Sequence, residues 1–166
     1  MAKLTIITEP HPVLHQVARR IQPGKLDLAK LYLDMQETMA EAEGVGLAAP
    51  QVGLPIRFII ASVGGEVRPF VNPKIVWSSS QSEVDEEGCL SIPGLYGLVE
   101  RAVEVEVEFE DLEFNRHRQR FAGFDARVIQ HEIDHLNGIL ISDRALGGLY
   151  EGRRRESQRT EEEMTI

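Results

Sequence analysis

Gln130-His131-Glu132-Ile133-Asp134-His135-Leu136 decides how this chain is read. His131 and His135 are four residues apart. On a helix that spacing puts both imidazoles on one face, one turn apart, where they can bind a single metal ion. Glu132 then sits beside the metal, placed to move protons on a water rather than to act as a ligand. The flanking sequence supports a helix. Ala126, Ile129, Ile133 and Leu136 form an apolar stripe of helical period, Gly123 precedes it, and Asn137-Gly138 supplies a stop signal. A metal site that does chemistry needs about three protein ligands and an open position, so a third ligand must come from elsewhere. Cys89, the only cysteine in the chain, is the best candidate. Its segment, Glu86-Glu87-Gly88-Cys89-Leu90-Ser91, reads as a loop.

The 166 residues suggest one domain able to bury a full-sized core. Apolar content of 42% and charged content of 27% fit a soluble globular protein. The net charge of −9 argues against general nucleic-acid binding, so no DNA partner is expected. No apolar run approaches the roughly 20 residues that span a bilayer, so no membrane partner is expected. Met1-Ala2-Lys3-Leu4-Thr5 begins no long apolar core and no cleavage signal, which points to the cytoplasm rather than secretion. One cysteine cannot form an internal disulfide and suits a reducing compartment, where a thiolate ligand persists.

Outside the metal motif the chain reads as a mixture of helix and strand. Glu9-Pro10-His11-Pro12-Val13 is a proline-set loop. Residues 27–42 form an amphipathic helix with Leu28, Leu31, Met35, Met39 and Ala42 on one face, ended by Gly44. Residues 44–53 are small, glycine-rich and uncharged, with one amide side chain at Gln51. Residues 57–63 read as a strand, Gly64-Gly65 as a hairpin turn, and residues 70–77 as a strand interrupted by Pro73. Residues 103–110 alternate Val103, Val105, Val107 and Phe109 with four glutamates, the pattern of a half-buried strand with an acidic solvent face. Arg116, Arg118 and Arg120 alternate on the next segment and can pair with those glutamates across the sheet. His11, His15 and His117 read as surface residues. Residues 145–166 are charged and glycine-broken, with Arg153-Arg154-Arg155 and Glu161-Glu162-Glu163, and read as a frayed helix or a disordered tail. No internal repeat or linker divides the rest.

Three segments together resemble the signature motifs of the peptide deformylase family. They are Gly44-Val45-Gly46-Leu47-Ala48-Ala49-Pro50-Gln51, Glu87-Gly88-Cys89-Leu90-Ser91, and the helix motif quoted first. They stand in the family's order and at family-like separations, and the resemblance runs from about Ile6 to Asp143. It implies a deformylase-like catalytic domain over residues 1–144, followed by the tail. The expected fold is α+β, with antiparallel β-sheets around a central helix that carries the His-Glu-x-x-His metal motif. The implied reaction is metal-dependent removal of the formyl group from the N-terminal formyl-methionine of newly made proteins. The partners would be N-formyl-methionyl nascent peptides and, near them, the ribosome.

The same resemblance assigns roles. Cys89, His131 and His135 would be the metal ligands. Glu132 would take a proton from water and deliver it to the leaving amine. The backbone N–H of Leu90 and the side-chain amide of Gln51 would stabilise the oxyanion. Val45, Gly46 and Gly88 would flank the peptide, which would lie as an added strand where glycines at 44 and 46 allow close approach. Phe124 and Val128 are either walls of a methionine pocket or core residues. Tyr96 stands where some members carry an arginine that reaches the substrate backbone. One cysteine and two histidines suit zinc, iron(II), cobalt or nickel, and the family is known for iron(II). A metallopeptidase with the same helix motif would ordinarily use a histidine or carboxylate as third ligand. A non-catalytic metal site would close with a fourth ligand. The basic cluster Arg153, Arg154, Arg155 and Arg159 has two readings: a local attraction to ribosomal RNA, or a solvated tail balanced by Glu156 and the terminal glutamates.

Overall fold

The computed structural model describes residues 3–152. The chain runs through α1 (Leu28–Glu41), β1 (Gly46–Ala48), β2 (Phe58–Val63), β3 (Glu66–Ser78), β4 (Ser82–Cys89), β5 (Ile92–Ala102), β6 (Glu104–Glu110), β7 (Arg116–Ala122), α2 (Gly123–Leu136), α3 (Ile141–Arg144) and β8 (Leu146–Glu151), with 3-10 turns at Pro12–His15 and Ala49–Val52. Five strands form one antiparallel sheet in the order β1-β2-β3-β6-β7, and β4-β5-β8 form a second. This is the expected α+β arrangement, with α2 set between the two sheets.

The alternation along β2 shows how the layers are made. Ile59, Ala61 and Val63 face one way and pack with Phe70, Val107 and Phe121 against Ala126, Ile129, Ile133 and Leu136 of α2. Phe58 and Ile60 face the other way, with Val71, against Leu28, Leu31, Met35 and Met39 of α1. Both faces of β2 are therefore covered, which is why it is nearly continuously apolar. Each fully buried side chain of this size stabilises the fold by roughly 1.5–3 kcal/mol. A third cluster, including Leu14, Cys89, Ile92, Val99 and Leu140, lies under the smaller sheet.

Local signals behave as their chemistry requires. Asp27 caps α1 by accepting the Lys30 N–H at 3.1 Å. Gly64 and Gly65 both have positive φ, 60° and 84°, as a two-residue hairpin between β2 and β3 demands. Asn72-Pro73 falls at a register shift between β3 and β6, so the proline interrupts the ladder as expected. Arg118 and Arg120 of β7 pair with Glu104, Glu106 and Glu108 of β6 across the exposed face. His15 and His117 are half exposed and pair with Glu9 and Asp111.

Three expectations need correction. The left-handed residue that ends α1 is Glu43 (φ 57°), not Gly44. Gly44 is needed for a different reason, since a Cβ there would stand 2.8 Å from Leu90 Cδ1. The segment around Cys89 is not a loop but the end of a long hairpin, in which only Leu90-Ser91 turn between paired Cys89 and Ile92. Residues 146–151 are neither a frayed helix nor disordered. They form β8, which pairs with β5 through Tyr150–Tyr96 and Leu146–Leu98, so the backbone hydrogen bonds of an open sheet edge decide what the glycines leave undecided. The basic cluster at Arg153–Arg155 and Arg159 lies outside the described residues. Among the described residues no helix is long and apolar enough to cross a membrane.

Candidate metal centre

Helix α2 is anchored along its length before it contributes any chemistry. Gly123 enters it with φ 61°. Asp125 accepts the Gly64 N–H at 3.1 Å. The Gln130 amide clamps Ala102 of β5, accepting from its N–H at 3.1 Å and donating to its carbonyl at 2.9 Å. The helix carries His131, Glu132 and His135 inward, all within 2% of complete burial.

The β4–β5 turn brings Cys89 to these side chains. Its Sγ lies 3.4 Å from His135 Nε2, and the donor atoms of Cys89, His131 and His135 all lie within 4.8 Å of one another. His131 Nε2, His135 Nδ1 and both Glu132 carboxylate oxygens are buried without a hydrogen-bond partner in the protein. Leaving such atoms unsatisfied costs roughly 1–3 kcal/mol each, so a cluster of them marks a place built for an occupant. The donor chemistry fits a cation. His131 is fixed through Nδ1, 2.9 Å from Glu87 Oε1, which directs its Nε2 lone pair inward. Burial, together with His131 and Arg101, keeps His135 well below its usual proton affinity, so its ring is neutral and able to donate a lone pair. Burial also pushes the Cys89 thiol up, so a thiolate there needs a cation beside it.

Two buried glutamates are driven in opposite directions. Burial alone would raise Glu87, but the hydrogen bond to His131 and the Arg101 guanidinium hold it well below the usual carboxylate range. Arg101 grips it with two bonds, Nε at 3.0 Å and a terminal nitrogen at 2.9 Å, and Arg127 adds a third at 2.6 Å. Arg127 also donates to the Val99 and Glu83 carbonyls and so ties α2 to β4 and β5. For Glu132, burial and the nearby Glu87 and Asp134 outweigh Arg101, and proton affinity rises well above the ordinary value. One carboxyl is a permanent acceptor and the other is suited to carrying a proton.

Gln51 reaches the same place from the 3-10 turn. Its Oε1 accepts the Ala48 N–H at 2.9 Å, which sends Nε2 towards Ser91 Oγ at 3.1 Å and Cys89 Sγ at 3.8 Å. Leu90 lies in the turn itself. Gly46 abuts Glu132 so closely that a Cβ would stand 2.5 Å from its Oε2. Val45 packs beside the main core, and its carbonyl accepts the Ser62 N–H at 2.8 Å. Gly88 is buried opposite Tyr96. Val128 and Phe124 belong to the core between α2 and the larger sheet. A cleft of about 200 Å³ beside the turn is lined by Cys89, Leu90, Pro93 and Tyr96. Sequence reasoning missed the supporting group formed by Glu87, Arg101, Arg127 and Asp134. Glu87 and Asp134 lie inside the motifs, whereas nothing in the spacing of Arg101 or Arg127 marks them.

The family model for polypeptide deformylase matches residues 3–147. A peptide deformylase of Rhizobium meliloti is 46% identical over 143 residues, covering 83% of this chain and 82% of that protein. The crystal structure of a peptide deformylase from Thermotoga maritima superposes with a TM-score of 0.85 at 38% identity, over 88% of this chain and 99% of that one. A class I type b peptide deformylase from Acinetobacter baumannii with Met-Ala-Ser bound gives 0.82 at 36% identity, over 86% and 98% of the two chains.

Proposed function

The chain belongs to the polypeptide deformylase family and removes the N-terminal formyl group from the formyl-methionine of newly synthesised proteins, and from that premise we propose how its residues divide the reaction. The observation that carries the assignment is the buried convergence of one thiol and two imidazoles on a single point. Three ligand atoms lie within 4.8 Å of one another, and an unpaired Glu132 carboxyl lies beside them. Cys89, His131 and His135 hold one divalent cation. When bound, that ion supplies Lewis acidity, bringing the pKa of a water molecule towards about 7 and polarising the formyl oxygen.

Glu132 takes the proton of the attacking water and returns it to the nitrogen of the departing amine. Gln51 Nε2 and the Leu90 backbone N–H donate to the oxygen that gains charge at the formyl carbon. The loss of one such donor typically costs about 2.7–4 kcal/mol of barrier. Glu87 keeps His131 in the tautomer that presents Nε2. The peptide adds as a strand along the outer edge of β1, an edge strand of its sheet, with Val45 and Gly46 on one side and Gly88 on the other. The Acinetobacter relative that holds Met-Ala-Ser, a tripeptide beginning with methionine, supports this reading.

The native ion in this proposal is iron(II), for which the family is known, and zinc, nickel and cobalt suit the same donors. The enzyme works in the cytoplasm on nascent chains. Its charge of −9 opposes approach to ribosomal RNA, and the Arg153–Arg155 and Arg159 cluster offsets that repulsion locally. The test uses protein purified without oxygen and analysed for metal. Formyl-Met-Ala-Ser should release formate while Met-Ala-Ser remains intact. Cys89→Ala and His135→Ala should lose metal and formate release together. Metal-replete protein that releases no formate would sink the reading.

A further inference from the structure

Behind Glu87 the charged chain continues outward to solvent. Arg101 uses Nε and one terminal nitrogen on Glu87, and its remaining nitrogen lies 2.6 Å from Asp134 Oδ2. Asp134 is gripped in turn by Arg144 of α3 through both carboxylate oxygens, the Nη2–Oδ1 bond being 2.9 Å. Side-chain exposure rises stepwise from 0% at Glu87 to 4% at Arg101, 12% at Asp134 and 42% at Arg144. We infer that Asp134 and Arg144 are positioning residues for the metal site, acting on His131 through Arg101 and Glu87.

The physical reason is planarity. A guanidinium is a rigid fork, so fixing one nitrogen fixes the direction of the other two. Asp134 thereby sets the plane in which Arg101 meets Glu87, and the paired bonds from Arg144 keep the Asp134 carboxylate from rotating. Loosening Arg144 loosens each successive contact and ends at the ring orientation of His131. Asp134 stands on α2 between the two histidines, so the brace acts on the element that carries them. An ordinary exposed ion pair would contribute little to stability and nothing to a distant site. The two roles are therefore separable.

This inference rests on Cys89, His131 and His135 being the ligands. Arg144→Lys keeps the charge and removes the fork, and the side chain is exposed enough for the fold to survive. Cobalt(II) is the probe. Its dissociation constant is measured by chelator competition, its ligand-field bands by visible absorption, and melting of the cobalt-free protein as control. Arg118→Lys, at a surface pair with Glu106 and Glu108, reports the generic cost of the substitution. Arg144→Lys should weaken cobalt binding about three- to tenfold, less than the roughly 10–100-fold typical of groups that touch a ligand directly. It should also shift the bands, while Arg118→Lys changes neither. An Arg144→Lys dissociation constant within about twofold of the parent, with superimposable bands, overturns the inference whatever happens to melting. Formate release by the cobalt-loaded parent is recorded in parallel. If that fails, the deformylase reading is at fault rather than the brace.

Discussion

Replacing Gly46 by alanine would put a methyl carbon 2.5 Å from Glu132 Oε2, 2.9 Å from its Cδ and 3.0 Å from its Cγ. Comfortable carbon contacts lie near 3.5–4.0 Å, so the carboxyl must retreat by about 1 Å. Gly46 itself is not in the left-handed region, so its backbone tolerates alanine, and the strain falls on Glu132. That side chain is fully buried and cannot swing into water. Overpacking of this kind costs about 1–3 kcal/mol. At about 2–4 °C per kcal/mol for a chain of this size, the melting temperature should drop by several degrees without loss of fold. The catalytic loss should be larger. A group that must transfer a proton and is displaced by about 1 Å loses about 10²-fold. The assay is kcat and KM on formyl-Met-Ala-Ser at matched metal content. A kcat within a few-fold of the parent would refute the argument that Gly46 exists to make room for Glu132. A change confined to KM would locate the role of the glycine at the peptide strand instead.

Four other outcomes follow from the same geometry. Glu132→Gln should keep its metal yet lose about 10²–10⁴-fold in kcat, and near-parental turnover would remove Glu132 from proton transfer. Gln51→Ala should lower kcat by about 10²–10³ with little change in KM, and an effect on KM alone would reduce it to substrate positioning. Asp111, in the β6–β7 turn, is held at about 2 by the His117 hydrogen bond, against burial, and by the Asn115 and Glu113 N–H groups. A depressed carboxyl contributes stability above its unfolded value, 3.8, and loses that contribution as pH falls through about 2. Asp111→Asn should therefore cost less than about 1 kcal/mol at neutral pH, since the group is exposed, and its melting curve should converge on the parent's in acid. A gap that widened in acid would contradict this. Truncation after Gly152, which spares β8 and Arg144, should leave activity on a short formylated peptide intact while weakening salt-sensitive ribosome binding. Unchanged, salt-insensitive binding would leave the basic cluster without that role.

The helix that carries His131 and His135 was legible in the sequence because the two histidines lie one turn apart, and local spacing on a helix fixes geometry. The Val/Glu alternation of β6 and the double glycine before β3 were legible for the same reason. β4 was misread because it buries the carboxylate of Glu87, held by Arg101, Arg127 and His131, while the side chain of Val84 is exposed. The alternation that marks a strand is therefore inverted there. β8 was missed because Gly147 and Gly148 weaken its local preference, and pairing with β5 supplies what is lacking. Arg101 reaches Glu87 from 14 positions away and Asp134 from 33. No periodicity encodes such a contact, which exists only once the β4–β5 hairpin has been laid against α2.

Cys89 is the only sulfhydryl in 166 residues and is 1% exposed. A thiol reagent added to the native protein therefore has one target, and a sulfur this buried reacts through local opening of the structure around it. Labelling slow compared with that of an unstructured peptide thiol measures the equilibrium constant for this opening. Anything that occupies the site should slow it further, in proportion to how tightly it binds. The chain thus carries its own gauge of local breathing, and routine alkylation followed by mass measurement would read it without any substitution.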